Sequence, residues 1–131
     1  MLVELYLPFP PTVNNYYVKS HSGGRFISQK GRKFRDDVAT VVMQTLNDVH
    51  IDDRILVEVV IFPPDQRKRD MDNYNKALLD ALSHSGIWAD DQLIDQLFVY
   101  RGAVRQQNGS AYVRITEAGP VITDVAQLPI D

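Results

Sequence analysis

The run Ile55-Leu56-Val57-Glu58-Val59-Val60-Ile61-Phe62 constrains this chain more than any other stretch. It is rich in β-branched residues and nearly continuous in apolar character, which predicts a buried strand. Pro63 and Pro64 end it, because proline has no N–H to give to a ladder. From Asp70 to Ser83 the apolar period changes to that of a helix. Met71, Tyr74, Leu78, Ala81 and Leu82 form its inward stripe, and Gly86 is placed to close it. A buried strand feeding an amphipathic helix is the kernel of an α/β domain.

The flanking segments extend that kernel. Leu2 to Leu7 reads as a strand stopped at Pro8, Pro10 and Pro11. Asn14 to Ile27 reads as a loop or loose hairpin around Gly23 and Gly24. Ser28 is a plausible N-cap for a helix to about Val49. Phe34, Val38, Val41, Val42, Thr45 and Val49 lie on one stripe of that helix, and Gly31 weakens its first turn. Leu93 to Val104 and Ala111 to Thr116 read as strands. Asn108-Gly109 between them predicts a two-residue hairpin, since a type I′ turn needs positive φ at both central positions. The expected fold is two-layer α/β, a small mixed β-sheet with two main helices on one face. The domain is expected over residues 1–117. Residues 118–131 read as a C-terminal tail, because Gly119-Pro120 breaks the strand and periodicity fades.

Composition removes several classes. A chain of 131 residues, 44% apolar and 24% charged, is one globular domain's worth. It has no run of the ~20 apolar residues that a membrane-spanning helix needs. Met1 to Pro11 lacks a basic leader region, so the expected compartment is the cytoplasm. With no cysteine there is no disulfide, thiolate metal site or cysteine nucleophile. The net charge of −3 hides a segregated pattern. Glu117, Asp124 and Asp131 lie at the C-terminal end, and without them the charges balance. Lys19, Arg25, Lys30, Arg32, Lys33 and Arg35 occupy a stretch free of acids, and Arg67, Lys68 and Arg69 form a second basic run. Local patches of this kind can hold a polyanion despite near-neutral net charge. A basic run taken alone is as readily a solvated face.

The chemistry concentrates in Arg69-Asp70-Met71-Asp72-Asn73-Tyr74-Asn75-Lys76. Acids in a first helical turn ordinarily complement the helix dipole or cap free N–H groups. Here two flank a core residue, and Asp72 and Lys76 lie one turn apart on one face. A second acidic pair, Asp90-Asp91, falls in the turn at the opposite end of the same helix. Convergence with Asp70 and Asp72 requires the following strand to carry Asp91 across the sheet edge. Three carboxylates that met would resist ionising together, and a hard divalent cation such as Mg²⁺ or Mn²⁺ relieves that repulsion. Such a site beside Lys76 and a cationic run suits phosphodiester hydrolysis. The competing reading is a capped helix with an Asp72–Lys76 salt bridge worth only about 0.3–0.5 kcal/mol. His21, His50 and His84 have no metal-ligand spacing, and neither a P-loop nor a GxGxxG motif is present. Trp88, Phe9 and Phe26 read as core, as do Tyr16 and Tyr17 taken singly.

The segment Arg67 to Lys76, together with Ala81-Leu82 through Trp88-Ala89-Asp90-Asp91, resembles the RusA family of Holliday-junction resolvases. Leu7-Pro8-Phe9-Pro10-Pro11, Asn14-Asn15, Tyr16-Tyr17 and Ser28 to Arg35 are similar as well, so the likeness covers residues 2 to 117. Its most specific part is an Asp-x-Asp-Asn-x-x-Lys element paired with a downstream Trp-x-Asp-Asp. The resemblance implies a homodimeric, magnesium-dependent endodeoxyribonuclease that nicks opposing strands of a four-way junction in DNA recombination and repair, with Mn²⁺ a possible substitute. It matches Asp70, Asp72 and Asp91 to the metal-binding acids and Lys76 to the catalytic lysine, with Asp90 the alternative to Asp91. It matches Arg67, Lys68 and Arg69 to a basic run that holds DNA phosphates, and Asn73, Asn14, Asn15, Lys30 and Arg35 are expected as further DNA contacts. Met71 departs from the family's usual leucine, a volume-conserving change, and the tail extends past the family core. The alternative is a module that grips branched DNA without cutting it.

Overall fold

The computed structural model describes residues 1–46, 48–105 and 107–129. The strands are β1 (Leu2–Leu7), β2 (Tyr17–Lys19), β3 (Arg25–Ile27), β4 (Ile55–Phe62), β5 (Ile94–Arg101) and β6 (Ser110–Glu117). The helices are α1 (Val13–Tyr16), α2 (Gln29–Thr45) and α3 (Asp72–His84). The main sheet has the order β1-β6-β4-β5, and β2-β3 is a separate hairpin. β6 runs antiparallel to both β1 and β4, whereas β4 and β5 are parallel and joined through α3. The expected two-layer mixed α/β architecture is the one observed.

Register explains which face is covered. Val3, Ile115, Val57 and Leu97 form one cross-sheet rank, and Leu5, Val113, Val59 and Val99 the next. All of these except Leu97 and Val99, on the edge strand β5, are buried against the helices. The intervening ranks face away, with Glu4, Arg114, Glu58 and Phe98 in one of them. An Arg114–Glu58 pair at 2.9 Å crosses that outer face. Phe34, Val38 and Val42 of α2 and Tyr74, Ala77, Leu78, Ala81 and Leu82 of α3 close the core. Thr45, expected on the α2 stripe, is exposed. The helix ends at Thr45 with Leu46 as C-cap, short of the expected Val49; Asn47 lies outside the described residues.

Ser28 caps α2 as expected, accepting from the Gly31 N–H at 2.9 Å. Gly31 has a reason beyond propensity. A Cβ there would lie 2.5 Å from the Tyr16 carbonyl oxygen, so glycine lets α2 pass under α1.

The hairpin expected at Asn108-Gly109 is not formed. β5 and β6 are not neighbours, because β4 lies between them. The parallel β4–α3–β5 crossover sets β5 on one side of β4, so the chain must round the end of β4 to reach the other. It does so through Gly102 N–H to Ile61 O and Arg105 N–H to Pro63 O, both 2.7 Å. The positive φ values implied by the sequence are present at Asn108 (86°) and Gly109 (65°), serving this wrap instead. Gly109 sits so close to Phe62 that a Cβ would fall 2.6 Å from its carbonyl oxygen.

A second correction concerns Phe26, which is 49% exposed. Strand alternation turns Ile27 toward the core and Phe26 away from it. Past Glu117 the chain carries one short 3-10 turn, Val125–Gln127, closed by an Asp124/Gln127 capping box. Val121, Ile122, Val125 and Leu128 are exposed there, and residues 130 and 131 of the expected tail lie outside the described residues. Among the described residues, no helix is long and apolar enough to cross a membrane.

Candidate nucleic-acid site

The carboxyl end of the parallel pair β4/β5 gathers most of the functional residues, as open α/β sheets tend to do. After β4, Pro63 and Pro64 turn the chain into the basic run. Asp65, which the sequence reading passed over, organises it. The Asp65 carboxylate accepts from Arg69 Nη1 at 2.7 Å, and from the Arg67 backbone N–H at 2.9 Å. Arg69 and then Arg67 hold the Asp65 carboxyl well below the usual carboxylate range. The clue was an Asp-x-Arg-x-Arg spacing. Arg101, also unanticipated, ends β5 and donates to the Arg69 carbonyl at 2.8 Å. Of the run's three cations, Lys68 alone forms no ion pair among the described residues.

Asp65 yields a pH prediction. Its folded-state pKa is lowered, so its contribution to stability is complete above the unfolded-chain value and shrinks as pH falls through it. Asp65→Asn should therefore lower Tm at neutral pH. On titration from about pH 5 to about pH 2 the difference from the unaltered protein should narrow. A constant difference across that range would show that the carboxylate's charge is not what holds the turn.

Asp70 precedes α3, and Asp72 is its first residue. Neither caps the helix: the N-cap residue is Met71, and no side-chain cap is made. The i, i+4 salt bridge between Asp72 and Lys76 is absent as well; among the described residues Asp70, Asp72 and Lys76 enter no ion pair. Asp72 and Lys76 are exposed one turn apart. Capping and pairing are thus missing among the described residues, and Asp72 keeps only its place in the first turn at the helix dipole. Oxygen donors left uncommitted in this way fit part of a hard divalent-cation site.

Asp91 lies elsewhere. It begins a 3-10 turn, Asp91–Leu93, beside the C-terminal end of α3. Ser83 donates to its carboxylate, and so does the Trp88 indole N–H at 2.9 Å. Asp90 instead caps the turn, accepting from the Gln92 N–H at 2.9 Å. That division separates the pair: Asp90 shapes the backbone, while Asp91 is held by side chains with carboxylate capacity to spare. At 1.5 Å per residue, the Asp72 and Ser83 turns of α3 are roughly 16 Å apart. β5 then runs parallel to β4, and the start of that strand stays at the far end from Asp70. Within one chain the three acids are therefore not gathered. Among the described residues no group of three or more acids and histidines has metal-binding geometry.

The other expected contacts divide into two sets. Asn14, Asn15, Lys30 and Lys68 are exposed and Asn73 is half-buried. Arg35 turns inward, donating from Nη2 to Asp80 at 2.8 Å and from Nε to the Tyr16 hydroxyl at 2.7 Å. Tyr16 is fully buried and itself donates to Asp80. Burial first, and then Asp80, push its hydroxyl far above the ordinary phenol range. This cluster clamps α1, α2 and α3 together. Trp88 is buried as expected. Phe9 packs at the core's edge, its ring 5.1 Å from that of Tyr74.

Two adjoining grooves bring the separate basic stretches together. One, of about 480 Å³, is lined by Lys30 and Lys33 from α2 and by Arg67, Lys68 and Arg69. The next shares Thr12 and Arg67 to Arg69 with it and continues to Asp70, Asn73 and Arg101. Fold and site together define a small α/β domain with a cation-lined, acid-bearing surface suited to a polyanion. Residues 8–116 match the family model described as Endodeoxyribonuclease RusA. The crossover junction endodeoxyribonuclease of Enterobacteria phage HK97 is 38% identical over 114 residues, covering 87% of this chain and 93% of that protein. Its counterpart in Escherichia coli K12 is 36% identical over 115 residues, 86% of this chain and 92% of that protein. The chain belongs to the RusA endodeoxyribonuclease family.

Proposed function

We propose that this protein is a magnesium-dependent endonuclease, with Mn²⁺ able to substitute, that resolves four-way DNA junctions by cutting opposing strands in recombination and repair. It works as a homodimer in the cytoplasm, through the domain of residues 1–117, with 118–131 a tail outside the chemistry. The observation that carries this reading is the state of Asp70, Asp72 and Lys76: among the described residues none caps the helix or enters an ion pair, and Asp70 lines the cationic groove.

The metal ligands are Asp70, Asp72 and Asp91. A bound cation supplies Lewis-acid polarisation of the phosphate and a water of lowered pKa. Lys76 faces the developing charge on the phosphate oxygens. Lys30, Lys68, Asn14, Asn15 and Asn73 touch DNA directly. Arg35, Arg67 and Arg69 shape the surface through Asp80 and Asp65. Phosphate contacts of this kind position the substrate and make binding salt-dependent.

The separation of Asp91 from Asp70 and Asp72 is resolved by symmetry. The acids lie at opposite ends of one helix. A two-fold axis crossing the middle of α3 runs two copies of it antiparallel, so each Asp91 meets the other copy's Asp70 and Asp72. Apolar surface is available midway. Leu97, on the helix-covered face of edge strand β5, is 41% exposed, and Leu79 of α3 is half-buried. Two such composite sites match the two symmetry-related strands of a junction.

The test compares four-way with linear duplex DNA, with and without Mg²⁺. Paired nicks in the junction with Mg²⁺ alone are expected. A protein that binds the junction and never nicks it in Mg²⁺ or Mn²⁺ is instead a non-cleaving structure-specific module.

A further inference from the structure

The groove between the proline segment and α2 is lined by aromatic residues as well as by cations. Its floor is aromatic: Phe34 and Tyr74 are buried beneath it, and Phe9 lies against Tyr74. Pro8, Pro10 and Pro11 wall one side, and their fixed φ angles keep that wall rigid. The rim is cationic, with Lys30 and Lys68 unpaired among the described residues. The lining's one acid, Asp37, is already held by Lys33 at 2.9 Å.

We propose that this groove receives one unstacked nucleobase of the bound DNA, with its phosphate on the Lys30–Lys68 rim, and so forms a base-contacting subsite beside the cutting site. The inference rests on the reading that the chain binds branched DNA. An aromatic floor under a cationic rim matches a flat π-system carrying an anion, which a nucleotide is. A purely apolar segment would leave the rim cations unpaired, and a lone anion would leave the Phe9 edge of the lining with no partner beyond the Arg69 guanidinium, 5.6 Å from its ring centroid. Continuity fixes the source of the ligand. Thr12, the Arg67 to Arg69 run and Tyr74 line both this groove and the one holding Asp70. A strand lying along Asp70 therefore passes the groove's mouth.

Two polar groups stand ready to meet a base edge. Thr12 occupies the N-cap position of α1 yet makes no side-chain cap. Asn15 is exposed in the groove lining. Neither side chain makes a hydrogen bond among the described residues, unlike that of Ser28, which caps α2. Drawing a base out of a stack costs least where the stack is already interrupted, as at the exchange point of a junction.

The test is a scan of four-way junctions, each with one abasic residue at a different position around the exchange point, bound without divalent metal. One position should weaken binding by the unaltered protein about tenfold, the scale of base–aromatic stacking. Phe9→Leu should bind the intact junction about tenfold more weakly and lose nothing further at that abasic position. Asn15 is exposed, so Asn15→Ala keeps the comparison available should Phe9→Leu not fold, and the abasic penalty shrinks in it as well. Unchanged affinity at every abasic position overturns the subsite while leaving junction binding intact. A full abasic penalty retained in both variants overturns it too. Failure to bind any four-way junction overturns the underlying reading and the subsite with it.

Discussion

Asp72→Asn should reduce junction cleavage roughly a thousandfold, the rate equivalent of the several kcal/mol a metal-bound carboxylate site supplies, while junction binding survives. The substitution keeps the side chain's size and removes its charge. The fold should not notice: Asp72 is exposed, caps nothing and pairs with nothing among the described residues. DNA affinity should hold or rise, because a negative charge beside a phosphate backbone is gone. Band-shift and nicking assays on one preparation separate the two effects. Loss of binding with cleavage still measurable would remove Asp72 from any metal role.

Trp88→Ala should cost about 3–5 kcal/mol of stability, as truncating a buried aromatic generally does, lowering Tm by roughly 10–20 °C. Trp88 is 1% exposed, and its backbone bridges to Ile51. Its indole N–H also reaches Asp91 at 2.9 Å and Ser83 at 2.6 Å. Trp88→Phe separates the two roles, since it keeps most of the ring and deletes the donor. Stability should fall less than in the alanine variant. Cleavage should still drop about 10–100-fold, the usual effect of losing a group that orients a metal ligand. Cleavage unchanged in Trp88→Phe would mean that the orientation of Asp91 is irrelevant.

Much of the fold was legible because local rules and packing agreed. β4 is flanked by β5 and β6 as its nearly continuous apolar run implies, and Ser28 and Gly86 mark helix ends where their chemistry predicts. The hairpin failed because Asn108-Gly109 reports backbone conformation, not strand neighbours. Its positive φ angles are real, but the partner of β6 is decided by the β4–α3–β5 crossover. Phe26 misled because a large apolar residue in a three-residue strand points whichever way alternation leaves it.

In the site, residue types were readable and their commitments were not. The sequence displays three cations at Arg67 to Arg69, but only the fold shows Asp65 occupying two of them. Arg35 looks like a surface cation until Asp80, far along the chain, closes on it. Likewise Asp90 and Asp91 are indistinguishable until one caps a turn and the other accepts from an indole. The distance between Asp72 and Asp91 is legible as helix length, and it is that length which leads us to propose a second copy.

Mixing two inactive variants tests that proposal most directly. Asp72→Asn and Asp91→Asn chains should each fail to cut as homodimers. Mixed and re-equilibrated, they form heterodimers in which one composite site carries both substitutions and the other carries neither. The intact site should restore nicking of a single strand of the junction. If each site were instead built within one chain, both sites of the heterodimer would be damaged, and a mixture as inactive as its parents would contradict the account.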